Sequence, residues 1–235
     1  MWWCPHACLP VSDTTVRRRA PRGRGAELRG EVLHAAMDLL AEKGDESAVS
    51  LRAVAERVGV SVPSIYLHFA DKRALIDAVC SEVFDVLDRR LRAAGEGAAD
   101  PLERLRAQGN AYVHFAVQNP EHYRVVMMQA HAPGPAAVDV LAASGAFGYL
   151  VQSVRECVDA GLLEGDPVQL GLSLWAASHG VAALLVAKPY FPWPDLDTFI
   201  DRTVCMAGLG LAVASRVDED LSSAELGERL ERLRG

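Results

Sequence analysis

From Ala26 onward the apolar positions recur with a helical period. Leu28, Val32, Ala35, Leu39 and Leu40 fall at i, i+4, i+7, i+11 and i+12, one stripe of a helix that Gly44 ends. Ser50 then predicts an N-cap for a helix over 51–58 and Gly59 a tight turn. Ser61 starts a second short helix, with Pro63 in its first turn, where a missing N–H costs little. Asp71 opens a long helix reaching about Ala94. Asp100-Pro101-Leu102-Glu103 reads as a capping box. Asn119-Pro120, Asp166-Pro167 and Pro194-Asp195 mark further starts, the last helix running to about Ser215, and Ser222-Ser223-Ala224-Glu225 starts a short terminal helix. A Gly/Pro loop over 128–135 precedes a helix over about 136–160, stopped by Gly161. No stretch alternates apolar and polar residues over a strand's length, so the chain reads as all-α.

Composition refines this picture. The 235 residues are half apolar and 23% charged, as in a globular protein of one fair-sized domain or two sharing a core. Residues 1–25 are rich in Pro, Gly and Arg without an apolar period and are expected to be a disordered arm. No apolar run reaches the ~18 residues that span a bilayer, and 170–187 is read as a buried helix. The N-terminus lacks the apolar core of a secretory signal. The five cysteines (Cys4, Cys8, Cys80, Cys157, Cys205) are odd in number and scattered, which points to a reducing cytoplasm. Cys4-Pro-His6-Ala-Cys8 offers three soft ligands where a closed zinc site uses four, so no metal or other cofactor is expected.

The net charge of −7 is uneven. The first 80 residues carry 11 basic and 10 acidic side chains, the remainder 13 and 21. Arg17, Arg18, Arg19, Arg22, Arg24 and Arg29 form a basic run broken only by Glu27. Such a run is either a solvated arm or one that tracks nucleic-acid phosphates.

Residues 50–69, SLRAVAERVGVSVPSIYLHF, are the informative segment. Two short helices around a glycine turn form either an ordinary core pair or a DNA-reading helix-turn-helix. Ala55 is small where the helices cross, and Ile65, ten residues on, fills the contact between them. With Ile65 inward, Val62, Ser64 and the residues near His68 lie largely outward, at the end that meets base edges in a major groove. Tyr66 and His68 present polar tips to phosphates, Lys72 adds a charge, and Arg52 is placed for backbone or a guanine edge. Val62 and Pro63 suit thymine methyls.

The run from Ala55 to Leu75, above all Tyr66-x-His68-Phe69-x-x-Lys72-x-x-Leu75, resembles the DNA-binding motif of tetracycline-repressor-like (TetR-type) regulators. The resemblance implies a three-helix DNA-binding domain over about 26–70, an all-α effector-binding and dimerisation domain over 71–215 and a tail over 216–235. It carries DNA contacts onto Ser50, Arg52, Val62, Pro63, Ser64, Tyr66, His68 and Lys72. Val62 departs from the polar base-reader common at its position. Further on, Asn119-Pro120-Glu121-His122-Tyr123-Arg124 resembles a segment of one subgroup. Trp175-Ala-Ala-Ser-His179-Gly180 resembles the motif of the subgroup with a WHG C-terminal domain.

Trp175 and His179, at i and i+4, share a helix face. They serve either as packing or as a polar handle for an effector. An effector pocket between helices should be apolar with few polar groups. Its candidate lining is Phe115, Tyr123, Met127, Met128, Phe147, Val151, Trp175 and His179, with Tyr112 beside them; core packing is the competing role for each. The small residues of 167–187 and 195–215 permit close helix approach, and the resemblance implies a homodimer built on them. The aromatic loop 188–194 between them is a lid or an interface rim.

The expected protein is thus a repressor that binds pseudo-palindromic double-stranded DNA and leaves it when a small apolar effector binds. A DNA-binding regulator without an effector is the alternative. An all-α enzyme is disfavoured: no HExxH, CxxC, Walker-type loop or GxSxG occurs, and the histidines are dispersed without ligand spacing.

Overall fold

The structure is a computed structural model that describes residues 25–43, 49–128, 145–214 and 223–232. The basic residues Arg17, Arg18, Arg19, Arg22 and Arg24, the Cys4–Cys8 cluster and the expected loop at 129–135 lie outside them. Every regular element among the described residues is helical.

Local signals explain most of the helix starts. Helix α1 (Gly25–Lys43) buries Val32, Ala35, Leu39 and Leu40 of the expected stripe, leaves Leu28 half-buried, and adds Leu33 and Ala36 to the core. Helix α2 (Leu51–Val58) is capped by Ser50, whose Oγ accepts from Ala53 N–H at 3.1 Å. Gly59 closes it at φ +76°, a conformation that costs glycine little, and its N–H reaches Ala55 O. Helix α3 (Val62–Tyr66) carries Pro63 at its start. Ser61 does not cap it by side chain; its hydroxyl pairs instead with Ser64 Oγ at 2.8 Å. Asp71 caps the long α4 (Lys72–Gly95) through Ala74 N–H at 2.7 Å.

Asp100 caps α5 (Pro101–Gln118) through Glu103 N–H, and Glu103 reaches back to Ala99 N–H, a capping box displaced outward by one residue. Helix α6 (Pro120–Tyr123) continues as a π-helical turn, Arg124–Met128. Helix α7 (Gly145–Asp159) matches the second part of the helix expected over 136–160; its first part lies outside the described residues. Asp166 caps α8 (Pro167–Ala187), and Asp195 accepts from Thr198 N–H at the start of α9 (Leu196–Ala214). Helix α10 (Ser223–Arg232) follows.

One apolar core joins α1 to α9. Val54, Ala55 and Ile65 of α2 and α3 are buried together with α1 residues and with Leu75, Ile76 and Val79 of α4. The same cluster continues through Leu87 and Leu91 into Tyr112, Val113 and Phe115 of α5, and on to Leu185 and Ile200. Burying each of these large side chains contributes roughly 1.5–3 kcal/mol. A smaller cluster, Val154, Cys157, Leu163 and Leu170, seals α7 against α8.

The reading of 170–187 as a buried helix is corrected by its packing. Helix α8 meets α5, α7 and α9 along one side only, and Val168, Leu172 and Leu184 on it are exposed. By length and composition it is apolar enough to cross a membrane. Helix α9 leaves Met206, Leu209 and Val213 exposed in the same way.

Candidate nucleic-acid interface and ligand cavity

The α2–turn–α3 unit presents its outer side to solvent because Val54, Ala55 and Ile65 hold its inner side in the core. Arg52 extends from the first turn of α2 with its side chain 84% exposed, held by an ion pair of 3.0 Å to Glu56. Such an exposed pair is worth at most about 1 kcal/mol, so it leaves the guanidinium free to take another partner at little cost. Pro63 and Tyr66 are exposed; Ser64 is half-buried and bound to Ser61; His68 is half-buried, its ring beside Gly25 at the start of α1. Ser50 is exposed with its oxygen engaged as the cap, and Lys72 is half-buried at the first position of α4.

Val62 departs from the outward orientation expected of it. It is half-buried and packs against the core, because a residue three before Ile65 lies partly on the same helix face. The apolar side chain at this surface is Leu67, 83% exposed beside Tyr66, which the sequence reading passed over.

In the C-terminal half, α4, α5, α7, α8 and α9 enclose a cavity of about 440 Å³. Leu87, Leu91, Leu102, Leu105, Leu150, Leu174 and Leu211 line it, with Phe84 and Phe147. Of the expected lining, Met127, Phe147, Trp175 and also Tyr112 reach it. Phe115, Tyr123, Met128, Val151 and His179 are not on its wall. Phe115 turns to α4, where Arg90 stacks on its ring at 5.3 Å. Val151 packs on Gly171 of α8, and Met128 is 46% exposed. The sequence reading favoured aromatic and methionine side chains and missed the leucines of α4 and α9. Nothing in a leucine's identity tells which buried face adjoins a void.

Tyr123 and His179 stand behind Tyr112. Trp175 Nε1–H donates to Tyr112 Oη at 3.2 Å. The Tyr112 and Tyr123 hydroxyls lie 3.2 and 2.6 Å from His179 Nδ1. Burial lowers the His179 pKa and raises those of both tyrosines. Burial thus disfavours the charged form of the ring, and its Nδ1 pairs with the Tyr123 hydroxyl. This accounts for the spacing of Trp175 and His179: the two tie one face of α8 to α5 and α6.

The segment after Asn119 joins three parts of the molecule. His122 Nε2 lies 3.2 Å from Met37 O of α1, Arg124 Nη2 donates to Val186 O near the end of α8 at 2.9 Å, and Met127 reaches the cavity. At the cavity's edge Arg106 forms a two-pronged ion pair with Asp201 of α9, which holds the Asp201 carboxyl below its usual range. No group of His, Cys, Asp and Glu able to hold a metal ion occurs among the described residues.

A helical reading head on a larger helical body with an apolar cavity defines a class of regulatory proteins. Residues 32–79 match the family described as bacterial regulatory proteins, tetR family, and 105–207 match the tetracyclin repressor-like C-terminal domain. This chain belongs to the TetR family of bacterial regulatory proteins. It is similar to the HTH-type transcriptional activator FasR of Mycolicibacterium smegmatis, 32% identical over 126 residues, covering 54% of this chain and 56% of that protein. It is similar also to the HTH-type transcriptional repressor KstR2 of Mycobacterium tuberculosis, 36% identical over 104 residues, 44% of this chain and 50% of that one. The chain thus spans about half the length of the curated relatives it matches. A solved protein of unknown function from Rhodococcus sp. RHA1 is 31% identical with a TM-score of 0.67, covering 80% of this chain and 95% of that one. The fatty acid degradation regulator FadR of Bacillus halodurans, at 20% identity and a TM-score of 0.65 over 77% and 98% of the two chains, shares the fold.

Proposed function

We propose that this chain is a cytoplasmic transcriptional repressor that binds pseudo-palindromic operator DNA as a homodimer and leaves it when a small apolar effector fills the cavity. The observation that carries the reading is the exposure of Arg52 and Tyr66 on a unit whose opposite side is locked in the core. Arg52 would meet a guanine edge or phosphate, and Tyr66, His68, Ser50 and Lys72 phosphates. Pro63 and Ser64 would face bases, with Leu67 supplying apolar contact near the position first given to Val62.

The dimer is supported by the unpartnered apolar sides of α8 and α9. Leu172 and Leu184 on one, and Met206, Leu209 and Val213 on the other, turn large apolar side chains to solvent, the kind of surface that marks an interaction site where it is contiguous. Ala176, Ala177 and Gly180 on the exposed side of α8 let a second copy approach closely. Two reading heads then meet successive major grooves.

Phe115, Tyr123, Met128, Val151 and His179 are left out of the effector's direct contacts in this reading. Tyr123 and His179 instead carry its effect. A ligand pressing on Tyr112 and Met127 acts on the α6 segment, and through His122 on α1. It favours whichever spacing of the two heads it binds better, and operator affinity falls by that difference.

The test is a titration of the purified protein against the duplex upstream of its own gene, with an unrelated duplex as control, at two salt concentrations. Wild type should prefer the native duplex and weaken with salt. Arg52→Ala with Tyr66→Ala should cost at least about tenfold, since one good base or phosphate contact is worth roughly 1–3 kcal/mol. A double variant that binds as wild type would overturn the assigned reading face.

A further inference from the structure

Helix α1 begins at the edge of the reading face. A Cβ on Gly25, its first residue, would lie 3.6 Å from His68 Cε1. One turn on, the Arg29 guanidinium lies over the Phe69 ring, 5.2 Å from its centre. Gly25 and Arg29 are i and i+4, so one side of the first turns of α1 faces the segment just after α3. Phe69 is 3% exposed while Arg29 is exposed. The ring holds the arginine in place and its charge stays at the surface, beside Tyr66, His68 and Lys72.

The acidic residues of α1 lie elsewhere. Glu27 and Glu31 stand two residues to either side of Arg29, about 160° round the helix. They line a shallow groove with His34, Asp38 and Arg57. Helix α1 therefore turns a basic side to the reading face and an acidic side away from it.

The chain that leads into Gly25 continues the basic side. Residues 17–24 read Arg-Arg-Arg-Ala-Pro-Arg-Gly-Arg, and no lysine occurs before Lys43. A guanidinium is more weakly hydrated than an ammonium, so it enters a narrow groove at lower cost. Gly23, between Arg22 and Arg24, has no side chain to hold the backbone off a groove floor. Eight residues can reach at most about 26–29 Å, enough to pass from a phosphate at the edge of one groove into the next.

We propose that the chain makes a second DNA contact outside its reading helix: Arg29 meets a phosphate at the groove edge, and the arginines of 17–24 occupy the adjoining minor groove over A·T pairs. The inference rests on the reading of α2–turn–α3 as the DNA-binding unit. A·T pairs offer only acceptors in the minor groove, whereas G·C adds the guanine amino group, which opposes arginine donors. A·T-rich flanks also narrow that groove and strengthen its negative potential. The contact thus adds a base preference beyond the half-site that the reading helix covers.

The experiment uses the full chain and the duplex upstream of its own gene, with hydroxyl-radical footprints locating the protected half-sites. The pairs flanking each half-site are then made A·T, inosine·cytosine or G·C. Inosine·cytosine lacks the guanine amino group, so its minor groove matches A·T while its major groove stays close to G·C. Wild type should bind the A·T and inosine·cytosine flanks alike, and both at least about fivefold tighter than G·C. In R17Q/R18Q/R19Q/R22Q/R24Q that ratio should fall to about one, and the slope of log K against log salt should drop by about 0.9 for each arginine replaced. Arg29→Gln alone should lower the slope by about 1. Equal binding of all three flanks by wild type, or inosine·cytosine behaving as G·C, overturns the minor-groove assignment. An unchanged slope in the five-arginine variant overturns the second contact, and leaves the reading head standing if Arg52→Ala with Tyr66→Ala still abolishes the preference for the native duplex. No such preference in wild type removes the inference and the reading beneath it together.

Discussion

Gly109 sits one residue beyond Gln108, where α5 meets α9. A Cβ at this position would lie 2.6 Å from Val204 Cγ1 and 3.5 Å from Cγ2, with Ser178 Oγ at 3.6 Å. Val204 is 9% exposed and β-branched, so it has little freedom to swing away. Two opposed quantities set the effect of Gly109→Ala. Alanine in a helix interior gains about 1 kcal/mol over glycine. Overpacking a filled contact costs roughly 1–3 kcal/mol. The expected net is a destabilisation of about 1 kcal/mol. In a Val204→Ala background both γ-carbons are gone, the new methyl enters their space, and the same substitution should stabilise by about 1 kcal/mol. The sign reversal, a coupling of about 2 kcal/mol, is the signature of direct contact. Urea unfolding of the four proteins measures it, at one fixed protein concentration because self-association would move the midpoint. An equal effect of Gly109→Ala in both backgrounds would refute the close approach of α5 and α9.

Two further expectations concern His179 and the exposed helices. Burial holds the His179 pKa below its ordinary value near 6.5, so the unfolded chain binds the proton more readily. Its contribution to stability is complete above that ordinary value and is lost as pH falls through the lower, folded-state value. Urea midpoints taken from about pH 7.5 to about pH 5 should therefore fall more steeply for wild type than for His179→Gln, and parallel curves would sink this account. Leu172→Glu with Leu209→Glu puts charges on the exposed sides of α8 and α9. Sedimentation equilibrium at micromolar concentration should find wild type dimeric and this variant monomeric, with its helical circular dichroism unchanged; a variant that still dimerises places the interface elsewhere.

The helix starts were legible in the sequence because caps are local. Ser50, Asp71, Asp100, Asp166 and Asp195 each accept from a backbone N–H within three residues, so their effect needs no knowledge of the rest of the chain. The reading head was legible for a similar reason: Ala55, Gly59 and Ile65 are constrained by one crossing of two adjacent helices. The cavity was not. Whether Leu87 or Phe115 faces a void depends on where α7 and α9 come to lie, and both belong to the same apolar pattern. The π-helical turn at Arg124–Met128 has no signature in spacing either. The pairing of Gln108 with Ser153 spans 45 residues and involves two types usually found at surfaces. Periodicity placed 170–187 in a helix and could not tell that much of its apolar surface faces outward, since a protein core and an uncovered interface present the same composition.

The continuity of the core has a consequence for how this chain can be recombined. A head swapped at residue 70 would sever Val32, Leu40 and Ile65 from Leu75, Ile76 and Val79, which are buried in one cluster. It would also strip the Met37 carbonyl from His122. The reading head is therefore not a cartridge. A working chimera has to carry the first turns of α4 with the head, in keeping with the family match that runs to residue 79, and must supply an α6 that fits the α1 it meets. If, as proposed, operator choice and effector choice reside in different halves, they can be exchanged only along a seam that runs through the middle of a helix.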